Sequence, residues 1–134
     1  MPGNIFIDTN IVIYSLGQES TKSHIAAPLF VGSSPFIYTQ VLSETANVAS
    51  KRLALSVTEI RKLITTLAAM CQVEIISMDT IHKALDIRER YSFSWYDSLI
   101  VAPALGAGCD TLYSEDMHDG QEINGHLRIA NPFV

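Results

Sequence analysis

Four acidic residues occupy positions where surface acids are uncommon, and together they could do metal chemistry. They lie just past a short apolar segment or beside the apolar face of a helix, at Asp8, Glu44, Asp97 and Asp116, and none has Lys or Arg as its neighbour in sequence. Carboxylates that converge repel one another, and ionised ones are costly to bury without a partner. A divalent cation is the simplest such partner, and ligands that are all oxygen favour Mg²⁺ or Mn²⁺ over Zn²⁺. The four acids therefore predict a site for a hard metal ion.

The segment around Asp8 predicts a strand, a sharp turn and a helix. Residues 5–7 are apolar and rich in β-branched side chains, the next three favour a helix start, and a second apolar stretch follows. In open α/β sheets, ligands bind in the crevice outside the carboxyl ends of the strands. Asp8 is therefore either the N-cap of the helix or a site residue.

Each of the other three acids also has an ordinary structural explanation. Asp97 begins an apolar helix, where the helix dipole favours a negative charge. Asp116 follows a short apolar segment and could shape a turn, and Glu44 could be partly exposed. Together, these explanations require four coincidences in one fold, which is why we favour a shared site.

Strand-like and helix-like segments alternate through most of the chain. The predicted strands are Ile5–Ile7, Phe36–Tyr38, Val73–Ile76, Thr111–Tyr113 and Leu127–Ile129. The predicted helices cover Thr21–Val31, disturbed by Pro28, and the segments that begin at the cap candidates Thr39, Ser56, Asp79 and Ser94. Alternation of this kind indicates a parallel sheet with helices on both faces.

Two loops and one proline complete the predicted organisation. Gly32–Pro35 and the polar stretch Ser114–Gly125 are predicted loops. Pro103 lies within the helix of Asp97 and lacks a backbone donor, so this helix is expected to kink or to stop early.

The length and composition indicate one globular domain over residues 1–134. The chain is 48% hydrophobic and 17% charged, which excludes a disordered chain. Its net charge of −5 argues against a basic nucleic-acid binder, although carboxylates loaded with cations would present positive charge. Cys71 and Cys109 are expected to be buried thiols in a reducing compartment. No apolar run is long enough for a membrane span and no leader pattern is present, so we expect a cytoplasmic protein without membrane contact.

Several acids of the C-terminal polar stretch compete for a place in the site. Asp110 precedes its strand and should lie at the wrong end of it, and Glu122 lies far into the predicted loop. Asp116 is preferred because its short side chain loses little freedom when it is held. Asp119 ranks second because one helical turn would place it beside Asp116, and Glu115 ranks third.

The acids stand in motifs that resemble those of PIN-domain nucleases. The motifs are Phe-Ile-Asp8-Thr-Asn10, Val-Leu-Ser-Glu44, Trp-Tyr-Asp97-Ser-Leu-Ile-Val-Ala and Ser-Glu-Asp116-Met. Their order and spacing are similar to those of the VapC toxins of toxin–antitoxin pairs, and the resemblance runs through almost the whole chain. It implies a three-layer α/β/α sandwich, RNA cleavage that depends on Mg²⁺ or Mn²⁺, a homodimer, and inhibition by a small antitoxin. It also implies that the four acids take the acidic positions, with support from Asn10 and Ser114.

In this interpretation Asp8 and Asp97 bind metal directly. Glu44 and Asp116 bind it directly or through water, or orient the attacking water. Two other functions remain open at this stage. A phosphatase could use Asp8 as its nucleophile, although Asn10 stands where such enzymes place a second Asp. An inactive PIN-like module that binds another protein is the other alternative.

Overall fold

The structure, a computed structural model, describes residues 3–17, 20–31 and 34–134 and has the α/β architecture that the sequence predicts. The strands are β1 (Ile5–Ile7), β2 (Phe36–Tyr38), β3 (Gln72–Glu74), β4 (Thr111–Tyr113), β5 (Glu122–Ile123) and β6 (Leu127–Ala130). The helices are α1 (Thr9–Leu16), α2 (Thr21–Ala26), α3 (Thr39–Lys51), α4 (Val57–Met70), α5 (Met78–Tyr91) and α6 (Trp95–Gly106), with a 3-10 helix at Ala27–Phe30.

The strands form one sheet in the order β3-β2-β1-β4-β6-β5. All neighbouring pairs are parallel except β5 with β6, which is antiparallel. The chain moves outward from β1 to β3 and then returns to place β4 on the other side of β1. The strand order therefore reverses between β1 and β4, and this reversal is where such sheets bind ligands.

The helices form two groups that cover opposite faces of the sheet. Helix α1 packs against α2 and α3, and α3 packs against α4, whereas α5 and α6 pack mainly against each other. Parallel crossovers are right-handed, so α1–α4, on the outward path, and α5–α6, on the return path, lie on opposite faces. This confirms the predicted three-layer α/β/α sandwich with a mainly parallel sheet.

Two of the four predicted helix caps are correct. Ser56 accepts from the backbone N–H of Glu59, whose carboxylate accepts from the N–H of Ser56, and this is a full capping box. Ser94 Oγ accepts from the N–H of Asp97 at 3.2 Å. These pairs hold because each cap lies three residues before the group that it bonds.

The other two caps were wrong by one or two residues. Thr39 is already inside α3, whose N-cap is Tyr38 without a side-chain bond. Asp79 lies in the first turn of α5, and Ser77 is the cap because its hydroxyl accepts from the N–H of Thr80. In α5 the hydroxyl at the earlier position competes successfully with the carboxylate that follows it.

Some boundaries also differ from the prediction. β3 is Gln72–Glu74 rather than Val73–Ile76, because the register with β2 pairs Phe36 with Gln72. The stretch Ser114–Gly125 is not wholly loop, since it contains β5, which pairs with the later strand β6. Of the predicted loop Gly32–Pro35, residues 32 and 33 lie outside the described residues.

The two prolines act differently on their helices. Pro28 limits α2 to Ala26 and lies near the start of the 3-10 helix, as a residue without a backbone donor can. Pro103 does not end α6, which continues to Gly106.

The core fills the space between the sheet and both helical layers. Its largest fully buried side chains come from the strands and from α1, α3 and α6, and include Phe6, Ile7, Ile11, Ile37, Val41, Ile100, Leu112 and Ile129. Cys71 and Cys109 are buried free thiols, as predicted, and burial raises their pKa values to about 11 and about 12. In the ranges that the structure describes, no helix has the length and apolarity that crossing a membrane requires.

Candidate functional site

Three polar side chains stand side by side at the carboxyl edge of the sheet. In the pairing of β1 with β4, Ile7 is opposite Tyr113, so Asp8 and Ser114 are the next pair beyond the strands. In the pairing of β1 with β2, Phe6 is opposite Phe36, so Tyr38 lies beside Asp8 on the other side. Paired residues of neighbouring strands point to the same face. Asp8 is therefore flanked by two hydroxyl-bearing residues where the strand order reverses.

Asp8 is both a helix cap and a member of this row, so the two explanations offered by the sequence do not exclude each other. Its Oδ1 accepts from the backbone N–H of Thr9 at 2.7 Å, and it occupies the N-cap of α1. Its Oδ2 accepts from Ser114 Oγ at 2.8 Å. Ser114 has no exposed surface. The carboxylate is thus fixed at both oxygens.

The protein around Asp8 disfavours its negative charge. Burial raises the pKa of Asp8 to about 6, and the carboxylates of Asp116 and Glu44 add to the increase, whereas the bonds from Ser114 and Thr9 oppose it. A carboxyl group with a strongly raised pKa in a crevice is a feature of functional sites as well as a source of instability.

Asp116 reaches the same crevice from the loop after β4. The Nδ2 of Asn10 donates to its Oδ2 at 3.0 Å, which joins this loop to the first turn of α1. Asp116 is exposed, and its charge acts on both Asp8 and Asp97. This contact also brings the side chain of Asn10 to the crevice.

Asp97 and Glu44 approach the region of Asp8 and Asp116 from two helices. Asp97 is partly buried in the first turn of α6. Burial raises its pKa, the Ser94 side chain opposes the increase, and the charge of Asp116 adds to it. Glu44 is exposed on α3, and its Oε1 accepts from Gln40 Nε2 at 3.0 Å. Its charge acts on Asp8, so all four predicted acids face one region.

Tyr38 is a residue of this region that the sequence analysis missed. It is 3% exposed, and its ring packs against that of Phe6 with centroids 5.9 Å apart. Burial raises the pKa of Tyr38, and the charges of Asp8, Glu44 and Asp97 add to the increase. The phenol therefore stays protonated and can donate a hydrogen bond among the carboxylates. The sequence contained a signal for this role. Tyr38 lies at the carboxyl end of the predicted strand Phe36–Tyr38, and Asp8 lies at the carboxyl end of β1.

The remaining acids of the C-terminal loop have other partners. Glu115 forms an ion pair with Lys22 and accepts from the hydroxyl of Tyr14 at 2.7 Å. Asp119 Oδ1 accepts from the backbone N–H of Asn131 at 2.8 Å. The segment from Ser114 to Gln121 is not helical, so the predicted helical turn between Asp116 and Asp119 was wrong.

The chemistry of these groups fits a hard cation. The site offers carboxylate and amide oxygens, and Asn10 Oδ1 is a buried acceptor that has no hydrogen-bond partner among the residues that the structure describes. Within residues 3–17, 20–31 and 34–134, however, no three His, Cys, Asp or Glu side chains are grouped closely enough to hold a metal ion. Exposed Glu44 and Asp116 would have to turn toward Asp8 to complete such a group.

Comparisons with solved structures support the fold. A toxin–antitoxin complex from Klebsiella pneumoniae contains a chain with a TM-score of 0.74 and 19% identity, and the match covers 96% of this chain and 98% of that one. DNA-bound VapBC from Salmonella typhimurium gives a TM-score of 0.70 and 18% identity, with coverage of 98% and 99%. VapC20 from Mycobacterium tuberculosis, described as a toxin that cleaves the sarcin–ricin loop, gives 0.67 and 17%, with coverage of 84% and 92%.

Of two comparisons at the level of sequence, one gave a match. A search of curated proteins gave no match. A model of the PIN domain family matches residues 5–118, which contain the strands β1 to β4 and all four acids of the crevice. With most of its length matched in this way, the chain belongs to the PIN domain family.

Proposed function

We propose that this protein is a metal-dependent endoribonuclease, the toxin of a toxin–antitoxin pair, and that residues 1–134 act as one nuclease domain. The main support is the state of Asp8, a carboxylate fixed at both oxygens, with a raised pKa, at the reversal of strand order. In the described part of the chain, the ion pairs found join Lys22 to Glu115 and Lys83 to Asp79, and neither involves the four acids of the crevice. A cation is the group that would relieve this repulsion.

The residues divide into ligands and supports. Asp8, Asp97 and Asp116 would hold Mg²⁺ or Mn²⁺, and Glu44 would join them directly, hold it through water, or orient the attacking water. Ser114 holds Asp8 and Asn10 holds Asp116, so both act on the ligands rather than on the substrate. The bound ion would lower the pKa of its water and stabilise the charge that develops on the phosphodiester.

Partners and compartment belong to the same proposal. RNA is the substrate, a small antitoxin protein covers the toxin, and the cytoplasm is where both are found. A homodimer would cover some of the apolar side chains that are at least two-thirds exposed, at Val31, Val57, Ile75 and Met78. Light scattering that finds only monomer at high micromolar concentration would refute the dimer.

Cleavage assays test the nuclease directly. Purified protein is incubated with structured RNA in Mn²⁺, in Mg²⁺ and in EDTA, and cleavage is expected only with metal. Asp8→Asn and Asp97→Asn should each abolish cleavage without loss of fold by circular dichroism. Asp110→Asn is a matched control, because Asp110 precedes β4 at the opposite edge of the sheet. Equal cleavage in EDTA would exclude the metal mechanism.

One observation favours a second function. Since no three acids within the described ranges are close enough to hold a metal as they stand, the chain could instead be an inactive PIN-like module that binds a protein. That alternative predicts no cleavage and no heat of binding with Mn²⁺. The phosphatase has less support, because Asn10, which stands in place of the second acid, donates to Asp116.

A further inference from the structure

A cluster of four side chains lies immediately beside the crevice and has no part in the proposed chemistry. Its members are Tyr14, Lys22, Glu115 and Phe133, called here the Lys22 cluster. Lys22 Nζ donates to Glu115 Oε2 and to the hydroxyl of Tyr14, the latter at 3.2 Å, and this hydroxyl donates to Glu115 Oε1 at 2.7 Å. Lys22 Nζ also lies 4.6 Å from the ring centroid of Tyr14 and 5.3 Å from that of Phe133.

The Lys22 cluster joins four separate parts of the chain. Tyr14 belongs to α1, Lys22 to α2, Glu115 to the loop after β4, and Phe133 to the C-terminal segment. The rings of Tyr14 and Phe133 meet edge to face, with centroids 5.2 Å apart. The segment from Ser114 to Gln121 has no helix or strand of its own. Its conformation therefore depends on side-chain contacts of this kind and on the backbone bonds from Ser114 and Gly120 to β6.

The same loop has a second anchor in the C-terminal segment. Asp119 Oδ1 accepts from the N–H of Asn131, and Asn131 Oδ1 accepts from the N–H of Phe133 at 2.9 Å. The loop is thus held at Glu115 by the Lys22 cluster and at Asp119 by the residues that lead to Phe133. Asp116 lies between these two anchors.

We propose that Lys22 and Glu115 are positioning residues that hold the loop so that Asp116 stays beside the crevice, within reach of a metal ion bound by Asp8 and Asp97. Glu115 and Asp116 are neighbours whose side chains go to different partners, since Glu115 bonds Lys22 and Tyr14 whereas Asp116 bonds Asn10. Fixing Glu115 fixes the backbone from which Asp116 extends. This inference rests on the proposed function, because it takes Asp116 as a metal ligand.

Lys22 could instead have a different role, for which the expected effects of substitution are the opposite. Because Lys22 is paired with Glu115, the residue that precedes Asp116, it could bind an RNA phosphate at the site directly. Removing the charge of Glu115 would then free Lys22 and strengthen RNA binding. If the pair positions Asp116, removing either charge weakens metal binding. The side chains of Lys22 and Glu115 are 43% and 24% exposed. Ion pairs that water reaches in this way contribute little to stability, so both substitutions should leave the fold intact.

The experiment compares Lys22→Met, Glu115→Gln and the double variant with the parent protein. Lys83→Met is the matched control, because Lys83 forms an exposed ion pair with Asp79 at 3.1 Å within α5. Hydrogen exchange of peptide 114–121 is measured without metal, and Mn²⁺ affinity is measured by calorimetry. Steady-state cleavage gives kcat and KM separately.

We expect faster exchange of the loop in both single variants and Mn²⁺ affinity that is lower by roughly tenfold, as for other groups that orient ligands. The double variant should be no worse than either single one. The parameter kcat should fall while KM for RNA stays constant, Lys22→Arg should restore both properties, and Lys83→Met should behave like the parent.

Unchanged loop exchange or unchanged Mn²⁺ affinity in Glu115→Gln would overturn the proposal. So would a lower KM for RNA in that variant combined with a higher KM in Lys22→Met, which is the result expected for a phosphate contact. If the parent neither binds Mn²⁺ nor cleaves RNA, the proposed function fails, and the role assigned to Lys22 and Glu115 fails with it. The exchange data, which need no metal, separate that outcome from the loss of the anchor alone.

Discussion

Replacing Asp8 with Asn should stabilise the metal-free protein at neutral pH. The ordinary pKa of Asp is 3.8, and burial raises that of Asp8 to about 6. One pKa unit corresponds to 1.36 kcal/mol, so the ionised form costs the fold about 3 kcal/mol at pH 7. Asn has no charge to desolvate and is an equally good N-cap for the N–H of Thr9. The melting temperature should therefore rise, by roughly 10 °C for a chain of this size.

The stability difference between the parent and Asp8→Asn should depend on pH. Between pH 4 and pH 6 the folded protein keeps the proton of Asp8 while the unfolded chain has lost it, so stability falls as the pH rises. Above about pH 6 both states are ionised and the cost is constant. At pH 4 the difference between the parent and Asp8→Asn should shrink to about 0.5 kcal/mol.

Urea unfolding in EDTA at pH 4 and at pH 7.5 measures both values. Asp86→Asn is a suitable control, because Asp86 is an exposed acid of α5 on the other face of the sheet. It should change stability little at either pH. If Asp8→Asn is less stable than the parent by 1 kcal/mol or more at pH 7.5, the ionised carboxylate of Asp8 stabilises the fold, and the argument from repulsion is refuted.

Three further outcomes follow from the same contacts. Mn²⁺ at a hundred times its dissociation constant should stabilise the parent by about 2.7 kcal/mol and leave Asp8→Asn unchanged in calorimetric melting. Ser114→Ala removes the donor to Asp8 and should destabilise the metal-free protein by about 1 kcal/mol at pH 7.5, but not at pH 4, in urea unfolding. Ser56→Ala, which breaks the cap of α4, should cost about 1 kcal/mol at both pH values and leave RNA cleavage unchanged.

The parts of the site that could be predicted are those fixed by local rules. The apolar segment ending at Asp8 defined a strand end, and Ser94 three residues before Asp97 defined a helix start. Because parallel strands place their carboxyl ends at one edge, these local features already indicated that Asp8 and Asp116 would lie at the same edge of the sheet. Their detailed bonding to Ser114 and Asn10 required the strand order, which periodicity does not contain.

The failures share a different cause. Tyr38 was correctly assigned to a strand but was not recognised as a site residue, because its approach to three carboxylates depends on the pairing of β2 with β1. Asp119 was placed by helical spacing, but its partner Asn131 is twelve residues away along the chain. The antiparallel pairing of Glu122–Ile123 with β6 was likewise set by contacts with a later strand. Contacts between distant segments decided each case.

The repulsion in the crevice is a consequence of topology rather than of local sequence. Asp8 follows β1, Asp116 lies in the loop after the neighbouring strand β4, and Glu44 and Asp97 extend from helices that begin at the same edge. The fold therefore directs all four toward one region of the molecule. Ser114, Asn10 and Ser94 stabilise individual carboxylates with hydrogen bonds, yet burial still raises the pKa values of Asp8 and Asp97. Folded proteins are only marginally stable, so packing alone does not explain the presence of acids that destabilise the fold. The cost that Asp8 imposes on the metal-free protein is therefore itself an argument that these acids serve a ligand.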